Sequence, residues 1–332
     1  MSNQQVLHLN YKTQRSFDAL VVGRAGLDLY PEPDGGKIKD ATSFSSDLGG
    51  SAGNIAVAIA KAGSSVGLIS AVSNDAVGEF VKQRLQNEAV DISLLTLTHG
   101  NERTSLALAE VRHDDCQVVI YRNDAADLKI QCNDTIRRAI SNSQNLVVTG
   151  TSLIDIESRK NTLEMMRHAV EVDCHVWLDL DYRAWNWPNV ETTRQVYREA
   201  VALTRVVVGN EDEFSVLTDD IATQIKDCKK NQQILILKRG AEGSSLFTGE
   251  SQLDSGIYTL KPLKPYGSGD AFVGNLLVNY LNSGDWLSAV AAGSAAAALV
   301  VSTRGCASAM PNPEQLDFLQ QTRSMSPAAD WR

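Results

Sequence analysis

The sequence predicts an α/β fold built on a mostly parallel central sheet, and three observations predict it. Short, near-continuous apolar runs recur along the chain, longer stretches of helical period separate them, and two glycine-rich turns open directly into helical patterns. Strands that are apolar on both sides belong to a sheet covered on both faces, the parallel arrangement with right-handed helical crossovers. The 332 residues are 43% hydrophobic and 21% charged, enough for one large core or for two domains.

In chain order, residues 19–23 and 66–72 read as buried strands, with a helix of small residues over 52–62 between them. Residues 146–149, 175–180, 205–208 and 234–238 are further apolar runs, and helical patterns at 157–170, 192–203 and 211–217 fill the gaps. The most apolar stretch, 287–301, is interrupted by Gly293 and Ser294. It falls short of the ~20 residues that a membrane span needs, so it reads as a buried helix. Two segments break the alternation. Residues 28–48 are rich in Pro, Gly and Asp and carry no helical period. Residues 104–111 and 117–122 read as half-buried strands joined by a polar turn at 113–115. Inserted strands without helices predict a small antiparallel sheet outside the main layer, a lid, or alternatively an edge extension of the central sheet. The expected folded unit runs over 17–322 with lid strands from about 28–48 and 104–122. Residues 1–16 and 324–332 are expected as tails, the last frayed.

Composition narrows the partners. A formal net charge of -9 and a pI near 5.1 disfavour nucleic acid and anionic membrane, whose binding draws on many Lys and Arg side chains. A small molecule is the expected partner. The five cysteines (116, 132, 174, 228 and 306) form no CxxC pair and no zinc spacing, and read as idle thiols in a reducing compartment. The polar start of the chain has no apolar signal-peptide core, which together with the absence of a span predicts a cytoplasmic protein.

The sharpest local signal is Gly267-Ser268-Gly269-Asp270, a turn that runs straight into an apolar helix. The first N–H groups of a helix lack internal partners and carry partial positive charge, and glycines let an anion approach them. A carboxylate in the same turn adds a base. An anion hole with a base is what phosphoryl transfer to an alcohol requires. Taken alone, the pattern is also that of an ordinary helix start with Asp as a first-turn charge. No GxxxxGK[ST] segment, no GxGxxG fingerprint and no HRD or DFG triplet is present. A second turn, Gly49-Gly50-Ser51-Ala52-Gly53-Asn54, also opens a helix, and its backbone and Asn54 would suit a polyhydroxy ligand. Asp28 follows the first strand, where open α/β sheets place ligands, and could accept two sugar hydroxyls or simply cap a turn.

With both turns in view, the chain resembles the PfkB, or ribokinase-like, carbohydrate kinases over nearly its whole length. The family's Gly-Gly-x-x-x-Asn turn is matched at 49–54, and its Gly-Ala-Gly-Asp turn at 267–270 with Ser268 for Ala. Its Asn-x-x-Glu element is matched by Asn210 and Glu213. The resemblance implies a ribokinase-like three-layer sandwich with a small β-sheet lid. It implies ATP and Mg²⁺ as cofactors, with a monovalent cation left open. Asp270 would be the base and the amides of Gly267, Ser268 and Gly269 the anion hole. Asp28, Gly49, Gly50 and Asn54 would hold the sugar, and Asn210 and Glu213 would reach Mg²⁺ through water. Lys238, Gly240 and Gly243 would serve the nucleotide.

Where the family usually has Asp-Thr before the second turn, this chain has Lys264-Pro265-Tyr266. That departure, the run from Gly23 to Pro31, and the segments at 121–122, 126–128, 178–183 and 306–311 resemble the 5-dehydro-2-deoxygluconokinases of myo-inositol catabolism. The 2-keto-3-deoxygluconate kinases share part of the pattern, and a fructokinase-like, nucleoside or non-catalytic sugar-binding reading stays open. An acid sugar needs a guanidinium for its carboxylate. Arg24, Arg122 and Arg183 are the candidates, Arg122 first, as a bidentate partner at the end of a lid strand. The lid's apolar strands also offer a face for a homodimer.

Overall fold

The computed structural model describes residues 6–11 and 15–329. The chain opens with β1 (Phe17–Val22), β2 (Gly26–Glu32), β3 (Ser43–Gly49) and α1 (Ser51–Lys61), then β4 (Val66–Ile69), β5 (Ala71–Ser73), α2 (Ala76–Asn87) and β6 (Thr96–Thr98). It continues with β7 (Leu106–Ala109), β8 (Val118–Tyr121), α3 (Asp134–Ser141), β9 (Ser143–Thr149), α4 (Ile156–Glu171), β10 (His175–Asp179) and α5 (Val190–Ala202). The C-terminal third holds β11 (Val206–Asn210), α6 (Glu211–Leu217), α7 (Ile221–Lys230), β12 (Ile234–Lys238), β13 (Ser244–Thr248), β14 (Ser251–Ser255), α8 (Ser268–Ser283), α9 (Trp286–Val301) and α10 (Pro313–Thr322).

The central sheet has eight strands in the order β14-β13-β12-β11-β10-β9-β1-β4, parallel from β12 to β4. Strict alternation along these strands builds two cores. Ala19, Val21, Val147, Trp177, Val206 and Ile234 face α1, α2, α8 and α9. Leu20, Val22, Leu146, Val176, Val207 and Leu235 face α3, α4, α5 and α7. Both faces are dry, which is why these strands read as unbroken apolar runs. The chain winds to β4 on one side of β1 and to β9 through β12 on the other. The strand order therefore reverses beside β1, and the carboxyl ends there open onto a crevice.

Four details differ from the sequence reading. The apolar run at 66–72 is two strands, because β4 joins the central sheet while β5 pairs with β6 in a two-stranded sheet. The antiparallel edge β13 and β14 escaped the reading, since its serines and short turn leave little apolar period. The small sheet exists as a separate unit in the order β3-β2-β7-β8, but it is mixed: β2 pairs in parallel with β7. Both expected tails are also docked where they are described. Leu9 is buried with its N–H on the Tyr280 hydroxyl, and Leu7 bonds Thr248 and Trp286. Ser326 exchanges backbone hydrogen bonds with Ile257, and Ala329 pairs with Glu242 and Arg239. Residues 1–5, 12–14 and 330–332 lie outside the described residues. Among the described residues no helix is long and apolar enough to cross a membrane.

Candidate active site

A cleft of about 760 Å³ lies over the carboxyl ends of β1, β9, β10, β11 and β12, roofed by the inward face of the small sheet. Ala107, Ala109, Val118 and Ile120 of β7 and β8 supply the roof. The floor is made where α1 and α8 begin. Gly267 sits in the left-handed region (φ 84°), which turns the chain sharply into α8 and which a residue with a Cβ adopts only under strain. The first intrahelical bond of α8 runs from Ala271 N–H to Gly267 C=O, so the amides before Ala271 have no partner within the helix.

Asp270 stands in that first turn and lines the cleft. Its Oδ2 accepts a 2.8 Å hydrogen bond from Asn54 Nδ2, in the first turn of α1, so the two glycine motifs, 216 residues apart, meet at one carboxylate. Burial pushes the Asp270 carboxyl up to about 8; Asp181 and Asp179 add to the rise, while Asn54 and Arg183 oppose it. A carboxyl so placed is a stronger base than an ordinary one once it has lost its proton.

The remaining candidates converge on the same cleft. Arg24, Asp28, Gly50 and Arg122 line it toward the small sheet, and Arg183, Asn210, Glu213, Lys238, Gly240 and Gly243 line it elsewhere, Arg183 beside Glu213, with Gly267, Ser268 and Gly269 also on its wall. Gly49 does not line it. It lies behind Asp28, whose carboxylate would collide with any Cβ there, so this glycine makes room for a side chain and does not itself face the cleft. Asp28 accepts from the Tyr30 hydroxyl at 3.2 Å, and burial, opposed by Arg24, pushes its carboxyl up to about 6.

The arginines are more committed than the sequence suggests. Arg122 Nε and Nη2 both bond the buried Asp127, and Nη2 also reaches Thr151 C=O at 3.0 Å. The expected two-pronged grip is therefore corrected: Asp127 occupies one edge of the fork, and only Nη1 is buried without a partner. Arg183 pairs with Asp181 at 2.8 Å and with Glu213 at 3.7 Å, and Arg24 donates to Ser105 Oγ. Of the cleft-lining side chains, Asp28 Oδ1, Asn54 Oδ1, Arg122 Nη1 and Ser244 Oγ are buried with no hydrogen-bond partner. These orphaned polar atoms sit just behind the cleft surface and are costly until a shift of the lining lets a ligand meet them.

Asn210 and Glu213 form the capping box of α6: each side chain accepts from the other residue's backbone N–H at 2.8 Å. Lys238 reaches Asp179 at 3.2 Å and Glu213 at 3.9 Å. Burial disfavours its charge, but those two carboxylates outweigh that and raise its pKa, so it stays an ammonium. A Cβ on Gly269 would lie 3.3 Å from Lys238 Nζ, which places this ammonium beside the glycine turn. Asp179 and Asp181 are cleft residues that the motif reading did not assign. Their signal was a carboxylate pair at the end of a buried strand, and Asp181 is held at φ 37°, a conformation uncommon outside glycine. Among the described residues no group of three or more His, Cys, Asp or Glu side chains converges to cage a metal.

The chain matches the pfkB family carbohydrate kinase over residues 16–313. It is 38% identical over 316 residues to a 5-dehydro-2-deoxygluconokinase of Photobacterium profundum, covering 92% of this chain and 96% of that protein. It is 32% identical over 310 residues to a 5-dehydro-2-deoxygluconokinase of Lacticaseibacillus casei, covering 91% and 95%. Among solved structures, a double-mutant fructokinase of Vibrio cholerae O395 in its fructose, ADP and potassium ion bound form is 28% identical with a TM-score of 0.80, covering 92% of this chain and 99% of that one. A fructokinase with bound ATP from Xylella fastidiosa shares the fold, at 23% identity and a TM-score of 0.82, covering 92% and 98%. Coverage of this extent, on a cleft assembled from the family's own motifs, settles the lineage: the chain belongs to the pfkB family of carbohydrate kinases.

Proposed function

We propose that this kinase transfers the terminal phosphoryl group of ATP to a primary hydroxyl of a keto-deoxy sugar acid, with 5-dehydro-2-deoxy-D-gluconate as the best candidate. The observation that carries the substrate class is the set of orphaned atoms: the Asp28 and Asn54 acceptors suit sugar hydroxyls, and the Arg122 Nη1 donor suits a carboxylate. The names of the relatives at 38% and 32% identity support the same choice.

In this reading Asp270 takes the proton of the hydroxyl as its oxygen attacks phosphorus, and Asn54 fixes the carboxylate for that transfer. The amides of Gly267, Ser268 and Gly269 meet the charge that develops on the transferred group. Lys238 adds a positive charge beside that turn by moving off Asp179 when the nucleotide arrives. Gly240 and Gly243 leave the far wall open for the nucleoside. The small sheet acts as the lid that excludes water.

The residues fit Mg²⁺ in one way only. Without a converging cage, the ion would be held by phosphate oxygens and waters, with Asn210 and Glu213 reaching those waters, and it would neutralise phosphate charge. A panel of acid sugars, neutral sugars and nucleosides with ATP tests the proposal. Turnover is expected for keto-deoxy acids. A preference for fructose or a nucleoside would sink the substrate assignment, and no turnover on any member would sink the kinase reading itself.

A further inference from the structure

Just before the second glycine turn stands a residue that the proposed catalysis does not use. Lys264 is completely buried (0% exposed), yet among the described residues no carboxylate lies within ion-pair distance of it. Its ammonium donates to the Tyr266 carbonyl at 2.8 Å and lies 4.9 Å from the centre of the Tyr266 ring. That ring is in turn stacked on Tyr30, and its hydroxyl is tied to Glu110 C=O. Burial holds the Lys264 pKa below the ordinary lysine value, opposed by the surrounding charges of Asp270, Asp47 and Asp28. The neighbouring Cys306 thiol is pushed up to about 12 by burial and offers no counter-charge. A buried ammonium held by one carbonyl and one ring is expensive to keep unless something nearby needs its charge.

The Tyr266 carbonyl belongs to the same peptide unit as the Gly267 N–H, the first donor of the anion hole. An ammonium on the carbonyl side polarises that peptide and strengthens its N–H on the opposite side. Where the family resemblance puts a carboxylate at this position, a negative charge behind an anion hole would repel the incoming phosphoryl group unless a bound cation offset it. Here the sign is inverted. A monovalent cation does not fit behind this turn, because it would lose the carbonyl to Lys264 and sit against a like charge.

We propose that Lys264 is a tethered cation of the anion hole, positioning and polarising the Tyr266–Gly267 peptide, so that this kinase works without a monovalent metal ion. The inference rests on the kinase reading above and concerns how its anion hole is charged. Lys264 is a positioning residue, since it touches the turn and not the substrate.

The test compares the full-length protein in potassium chloride and in choline chloride at matched ionic strength, reading both sugar-acid phosphorylation and the melting temperature. The expected result is the same kcat and the same melting temperature in both salts. Lys264→Met should lose about tenfold or more in kcat, with a smaller change in the sugar KM. Lys264→Asp should become dependent on potassium. A wild-type protein that is activated or thermally stabilised by potassium over choline would overturn the proposal, as would a Lys264→Met variant with full kcat. Should Lys264→Met fail to fold, the wild-type salt comparison decides alone. Should the wild type phosphorylate nothing in the panel, the kinase reading is what fails, and the melting temperatures still decide whether potassium binds.

Discussion

At the scale of single residues, Asp270 carries opposed demands. Its carboxyl moves from the ordinary 3.8 to about 8 on folding, chiefly through burial. The folded chain therefore holds this proton more tightly than the unfolded one. The stabilising contribution is complete below about pH 4 and is lost as pH rises through about 8. Asp28 and Asp179, each pushed up to about 6, act in the same direction over a lower window. Asp270→Asn should thus stabilise the ligand-free protein by about 1–3 kcal/mol at pH 8 and progressively less toward pH 4, read as thermal melts across pH. The same substitution should cost roughly two to four decades in kcat. Full turnover by the Asn variant would remove the proposed base. The acid limb of kcat/KM should lie above the ordinary carboxylate range, and Asp181→Asn, which removes a neighbouring negative charge, should shift it to lower pH. Arg122→Ala should raise the KM for an acid sugar by about 10–100-fold and leave that for fructose nearly unchanged. An equal rise for both sugars would mean that the Arg122–Asp127 pair only supports the wall. That pairing was invisible in the sequence, because a guanidinium's partner five residues away depends on how the loop folds, not on spacing.

At the scale of elements, the proposed site depends on how closely two helices cross. Gly274 of α8 lies against α1: a Cβ there would stand 2.5 Å from the Ala58 Cβ and 3.2 Å from the Ile55 carbonyl oxygen. The turns that open these same helices carry Asp270 and Asn54. Gly274→Val should wedge them apart, destabilising the fold by about 1–3 kcal/mol. It should also lower kcat beyond what the stability loss explains, since the 2.8 Å bond between Asn54 and Asp270 spans the gap. Melting temperature and kcat measured on the same preparation check this, and an unchanged kcat in the folded variant would show that the crossing does not set the site. The helices at 156–171 and 211–217 were legible from their apolar period, while the caps formed by Asp155 and Asn210 appear only in the structure. Helices α2, α3, α7 and α10 were not, because each buries only a few residues and the rest of its surface reads as loop.

At the scale of the whole molecule, the outer face of the small sheet is apolar in register. Leu27, Leu106 and Tyr121 form one row across β2, β7 and β8, and Leu29, Leu108 and Val119 form the next. Tyr121 is 59% exposed and Val119 41%. Edge strand β8 carries neither Lys nor Pro, the residues that keep edges single. A second copy of this chain is the proposed cover, so sedimentation velocity should show a dimer. Val119→Lys combined with Tyr121→Lys should give a folded monomer; a wild-type monomer would discard the idea.

The sequence by itself determined the α/β class, the parallel strands of the central sheet and the two glycine turns, because apolar periodicity and helix-start chemistry are local properties of the chain. Only the tertiary structure decided which charges are free. The Asn54–Asp270 contact, the claim of Asp127 on Arg122, the pairing of Lys238 with Asp179 and the burial of Lys264 away from any paired carboxylate all depend on how the chain folds in space, near in sequence or far, which no local pattern encodes. Electrostatic roles in a cleft follow from distance and burial, and those exist only once the chain has folded.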